Sequence, residues 1–242
     1  MKNFFLIVSL LSAFRGDCDT VLSPFVVPNS SLGIPFTTDQ NSAQSVRYQQ
    51  VYGASDFMTV CNRVSCSPNS APLLITAISF GLATNSAGLT AFLPNVRIDF
   101  STTQKAPDSL SPVFSDNIGA GDQVVYSGSW NAATGLLQLQ QPFLYDPSLG
   151  NLLMDVRNFQ TTVPNPMGIM RFEAVNTLGD STSIAIGPDV NATSGGLASI
   201  GLSTRFTVTP VPEPNAALLL LIAIVPAWFF RWRKRGRREA NS

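Results

Sequence analysis

The chain has 242 residues, 45% of them apolar and 12% charged, and contains no histidine, which excludes Ser-His-Asp and Cys-His catalysis, histidine-ligated zinc and imidazole proton shuttles. Its 15 basic and 15 acidic residues cancel. Six of the basic ones fall between Arg231 and Arg238, however, so residues 19–210 hold seven basic against twelve acidic, a net charge near −5 that argues against binding nucleic acid by charge.

In chain order, Met1-Lys2-Asn3 precedes the apolar run from Phe4 to Ala13, the charged n-region and short h-region of a secretory signal peptide. Residues 1–18 are therefore assigned to a signal helix, with cleavage after Ala13 or Gly16 both compatible with the residues. Cys18 follows Arg15-Gly16-Asp17, which lacks the aliphatic and small residues of a lipoprotein signal.

Residues 19–209 are long enough for one all-β domain with a substantial core. Strands are expected at 45–52, 73–83, 96–101, 123–129, 152–159, 170–175, 183–186 and 204–209. Within them Val, Ile, Phe and Tyr recur at two-residue spacing, as in Val96, Ile98 and Phe100, the period that puts alternate side chains on one face. Clusters of Gly, Pro, Asn, Asp and Ser separate them. No long amphipathic helix competes, and a two-sheet β-sandwich of jelly-roll type fits best.

Candidate chemistry within this domain is sparse. Cys61 and Cys66 are separated by four residues, and an oxidising exported setting points to a disulfide; the spacing also suits a redox or metal pair, although no second Cys pair or His completes a site. Asp116, Asn117 and Asp122, or Asp189 and Asn191, carry oxygens suited to structural calcium, but neither set follows a specific calcium loop and turn chemistry accounts for both. Asn29-Ser30-Ser31 and Asn191-Ala192-Thr193 fit the N-glycosylation triplet. Glu173 is the only Glu between the signal and residue 213. A glycosidase would need it to converge with an Asp across a cleft. No cofactor and no catalytic residue is assigned.

At the C-terminus, Pro212-Glu213-Pro214 precedes fifteen uncharged residues, 216–230, followed by Arg231, Arg233, Lys234, Arg235, Arg237 and Arg238. As a helix the apolar run spans roughly 22 Å at about 1.5 Å per residue, short against a hydrocarbon core of about 30 Å. Trp228, Trp232 and a snorkelling Arg231 add length at the flanks. A single C-terminal transmembrane helix is expected, with the basic stop in the cytoplasm and the preceding chain outside. The two prolines fix φ on either side of Glu213 and hold the segment extended, the form a processing enzyme needs.

This ordered tail resembles the PEP-CTERM sorting signal of Gram-negative bacteria, over residues 210–242. The resemblance implies export by the general secretory machinery, transient residence in the inner membrane, recognition by an exosortase as partner, and release to the cell surface or an exopolysaccharide matrix. Pro226 within the helix and Gly236 within the basic run are small departures. Residues 142–156 also look like a hairpin that recurs in exported β-sandwich proteins with such tails, with Phe143 and Tyr145 as core residues and Asp146 as a turn residue. The expectation is a non-enzymatic surface or matrix protein. A lectin-like carbohydrate-binding module is the alternative, and a carboxylate-based hydrolase a third reading.

Overall fold

The computed structural model describes residues 19–36, 45–62, 65–86, 92–159 and 170–211. Strand β1 spans Asp19–Ser23, β2 Ser30–Leu32, β3 Val46–Tyr52, β4 Thr59–Cys61, β5 Cys66–Pro68, β6 Leu73–Phe80, β7 Phe92–Thr103 and β8 Ala120–Asn131. Then follow β9 Leu136–Tyr145, β10 Asn151–Asn158, β11 Phe172–Asn176, β12 Thr182–Gly187, β13 Gly196–Ala198, β14 Ile200–Leu202 and β15 Thr204–Pro210. The chain divides into two units after Pro210, where β15 ends. Of the second unit only Val211 is described.

The fold is all-β and its strand pairs are antiparallel. One six-stranded sheet has the order β5-β4-β1-β15-β6-β9, the other β13-β12-β3-β10-β7-β8, and a small sheet runs β14-β11-β2. Alternation explains how two faces meet. Leu152, Met154 and Val156 of β10 point into the main core with Val96, Ile98 and Phe100 of β7, while Leu153, Asp155 and Arg157 take the opposite face, as period-two geometry requires.

From the first sheet Phe206 of β15 enters the same core. Its ring lies 5.0 Å from that of Tyr52, 5.1 Å from Phe57 and 6.4 Å from Phe100, so side chains of both sheets share one apolar interior, an arrangement consistent with a sandwich. A second aromatic group packs Phe36 against Trp130 at 4.8 Å and Phe80 at 5.2 Å. Each such ring contributes on the order of 2–3 kcal/mol by leaving water.

Residues 142–156 depart from the hairpin expected of them. Phe143 and Tyr145 are buried, and Asp146 accepts from the Ser148 backbone N–H as the turn reading required. Yet β9 pairs with β6 and β10 with β3 and β7, so the turn carries the chain from one sheet to the other. Gly150 makes the close approach: a Cβ there would lie 2.6 Å from the Thr103 carbonyl oxygen. The expected strand 73–83 stops at Phe80, and 96–101 and 123–129 extend to β7 and β8. Strands β1, β2, β4, β5, β13 and β14, five residues or shorter, were not anticipated.

The signal helix at 1–18, the motif Pro212, Glu213 and Pro214, the apolar run 216–230 and the basic cluster 231–238 lie outside the described residues. Among the described residues no helix is long and apolar enough to cross a membrane.

Candidate functional site

Two clusters of polar side chains stand out among the described residues. The first is the outer face of the β13–β8 sheet, where strand register lines up Arg47, Arg157 and Arg97 in one row and Gln49, Asp155 and Asp99 in the next. Arg47 grips Asp155 through Nε and Nη2, the latter at 2.6 Å, and Arg97 grips Asp99 at 2.7 Å. Gln49 Nε2 donates to Asp155 at 2.8 Å and to the Phe114 carbonyl at 3.2 Å, and its Oε1 accepts from Asn117.

These bonds hold down the β7–β8 loop. Phe114 lies over the Arg47 guanidinium, 4.6 Å from its ring centroid, and Leu110 and Phe114 form a second small core with Val51, Leu153 and Ala185. Asp122 sits within electrostatic range of Arg97 and Arg157; burial, then Asp99 and Asp155, raise its carboxyl above the usual range. Three guanidiniums and three carboxylates balance on this face. It is built to hold a loop, and offers no net charge to an anion.

The second place is where the β7–β8 loop meets the β11–β12 turn and β13. Asp56 accepts hydrogen bonds from Ser23 and Ser181 on one carboxylate oxygen, tying β1 to the β11–β12 turn through the short helical turn Ala54–Met58. Burial raises its carboxyl, against the pull of the two hydroxyls. Asp180 accepts from the Thr182 N–H, while its Oδ2 is buried with no hydrogen-bond partner among the described residues. Its carboxyl is also raised, by burial first and then by the Asp108 and Asp56 carboxylates.

Beside them lies a groove of about 180 Å³ lined by Asp108, Leu178, Ser183, Leu197 and Ser199 among others. Asp108 adopts φ 59°, a left-handed conformation that Asp tolerates better than most residues. It is held there at two points: its N–H donates to Ser183 Oγ at 2.8 Å, and its Oδ2 accepts from the Gly179 N–H at 2.9 Å. Leu178 and Leu197 are 79% and 51% exposed, large apolar side chains left in water at the rim.

The residues singled out from sequence fall elsewhere. Cys61 and Cys66 are bonded, with S–S 2.01 Å, and face each other across the β4–β5 ladder. Asp116 accepts from Ser111 Oγ, and Asn117 is buried and bonded to Ser111 and Gln49, so neither is directed with Asp122 at a shared ligand. Asp189 caps its own turn by accepting from the Asn191 N–H. Among the described residues no group of three or more Cys, Asp or Glu could hold a metal ion. The Glu173 carboxylate rests on Gly81, where a Cβ would come within 2.1 Å of Oε2, and its carboxylate shares no hydrogen bond with an aspartate among the described residues.

Sequence reasoning missed the groove. Asp108 and the turn 177–180 read as ordinary turn residues, and Ser183 as one position of a strand; only the left-handed backbone at Asp108 marks the place, and that is not written in the residue type. No family model matches the chain, and no curated protein matches it in sequence.

Proposed function

We propose that this chain is an exported surface or extracellular-matrix protein, a jelly-roll ectodomain at 19–209 delivered through a signal peptide and sorted by an exosortase acting at 210–242. The observation that carries the reading is the order of the tail: Pro212-Glu213-Pro214, an apolar run, then six basic residues. The end of β15 at Pro210, with Val211 alone between it and the motif at 212, supports it.

Strand order supports the jelly roll. Taking β1, β3, β6, β7, β8, β9, β10 and β15 as first to eighth, one sheet runs first-eighth-third-sixth and the other second-seventh-fourth-fifth, the wrapping of two Greek keys in eight strands. A non-enzymatic role is favoured by how the carboxylates are used: Asp155 and Asp99 hold arginines, Asp146 and Asp189 cap turns, and Asp56 ties two elements together.

The test is expression with and without the cognate exosortase, reading the mature C-terminus by mass spectrometry and the cell fraction by blotting. Loss of the tail near 212–214 only when the enzyme is present is the expected result. An intact tail in both strains would overturn the sorting reading. A second reading, carbohydrate binding, is favoured by the groove at Asp108, whose pairing of an oriented carboxylate and hydroxyls with exposed leucines suits a sugar better than an apolar ligand.

A further inference from the structure

We propose that the groove at Asp108 is a subsite for one neutral hexopyranose unit, a specification that rests on the carbohydrate-binding reading. Its volume of about 180 Å³ is on the scale of one small ligand such as a single sugar unit. A sugar presents hydroxyls on its edge and C–H bonds on its faces, and the groove offers a partner for each.

Asp108 is exposed, and its Oδ2 is steadied by the Gly179 N–H, leaving Oδ1 open to accept from a sugar hydroxyl and Oδ2 with a lone pair for a vicinal one. Ser183 is 3% exposed and its oxygen accepts from the Asp108 N–H, so the hydroxyl proton remains to donate to a sugar oxygen. Ser199 adds a second hydroxyl. Leu178 and Leu197 would cover a C–H face and leave water in doing so. Preorganisation is the physical point: Asp108 is held at its backbone N–H by Ser183 and at its carboxylate by the Gly179 N–H, so binding orders little that is not ordered already.

Charge selects among sugars. Asp108 carries a carboxylate, Asp180 lies within electrostatic range of it, and residues 19–210 are near −5, so a uronate meets repulsion at each scale. An extended peptide is the poorer occupant, because β13 offers only three residues of edge for pairing.

The experiment is saturation-transfer NMR on the full-length protein in a phosphocholine detergent, which has no sugar headgroup. The probes are methyl α-mannopyranoside, methyl β-glucopyranoside, methyl β-galactopyranoside and sodium glucuronate. At least one neutral hexoside is expected to receive saturation with a dissociation constant on the order of millimolar, as fits a ligand of so few atoms, and glucuronate none. Asp108→Asn keeps a residue that tolerates the left-handed backbone but removes the charge. It should weaken binding about tenfold or more, as should Leu178→Ala, whose side chain is too exposed for its loss to unfold the domain.

Hexoside binding unchanged in both variants, or glucuronate binding equal to that of the hexosides, would overturn the subsite while leaving carbohydrate binding standing. So would binding of a polysaccharide array without any hexoside signal. Silence from hexosides and array together would remove the subsite and the carbohydrate reading at once.

Discussion

Asp56 accepts from two serines that lie far apart in the chain, Ser23 on β1 and Ser181 in the β11–β12 turn. Burial raises its folded-state carboxyl above the ordinary 3.8, and the sign of its linkage follows. Between the unfolded value and the raised folded value the native state holds the proton more tightly than the unfolded chain. The group's contribution is therefore fully present below about pH 4 and is lost as pH rises through the folded pKa. Compared with Asp56→Asn, which does not titrate, the wild type should lose relative stability across that window and run parallel above it. Urea unfolding of both proteins from about pH 3 to pH 7 reads this directly; a constant difference would show that Asp56 does not titrate differently in the two states. Nothing in Ala54-Ser55-Asp56-Phe57 announces such a tie, since the serines it meets arrive from 33 and 125 residues away.

At the scale of elements, β8 and β9 show how the sheets manage their edges. Each is the last strand of its sheet, and the short turn Ala132–Thr134 joins them, with Gly135 at φ 64° turning the chain into β9. Unpaired strand edges invite association with other chains. Here the Gln140 side chain substitutes for a missing ladder, donating from Nε2 to the Ser127 carbonyl at 3.0 Å and accepting from the Ser127 N–H at 3.1 Å. Gln140→Ala removes both bonds from an exposed site, so the expected cost is about 1–2 kcal/mol, with faster amide exchange at Ser127 than in the wild type. Unchanged exchange there would mean that the stitch protects nothing. Two-residue alternation made β7 and β10 legible in the sequence because each turns one face into the main core. The strands of three residues were not, because their pairing is decided by partners distant in the chain and too few positions repeat to show a period.

Across the whole domain, one aromatic side chain reports on the contact between sheets. Phe206 belongs to β15, yet its ring meets Tyr52 of β3 and Phe100 of β7, both in the opposite sheet. Phe206→Ala should cost about 3–5 kcal/mol, a large part of the roughly 5–15 kcal/mol by which such domains are stable, and thermal denaturation of the full chain would register it as a marked drop in midpoint. A loss below about 1 kcal/mol would mean that the core closes over the gap, and that the sheets meet less rigidly than the ring contacts indicate.

The all-β class, the main strands and the ordered tail are local properties. They rest on side-chain period, on turn residues and on runs of charge or apolarity, each written within a dozen or so neighbouring positions. Other features depend on segments meeting that lie far apart in the chain. The turn at Asp146 reads the same whether it closes a hairpin or crosses between sheets, and only the partners β6, β3 and β7 distinguish the two. Arg47 and Asp155 are 108 residues apart before register brings them to 2.6 Å. Asp108 becomes a feature only when Ser183 and Gly179 hold its backbone and its carboxylate. The sequence by itself determined what kind of domain forms and the order of proline motif, apolar run and basic cluster at its end; the groove and its chemistry arose only in the tertiary structure, because they are made of pairings that no local pattern encodes.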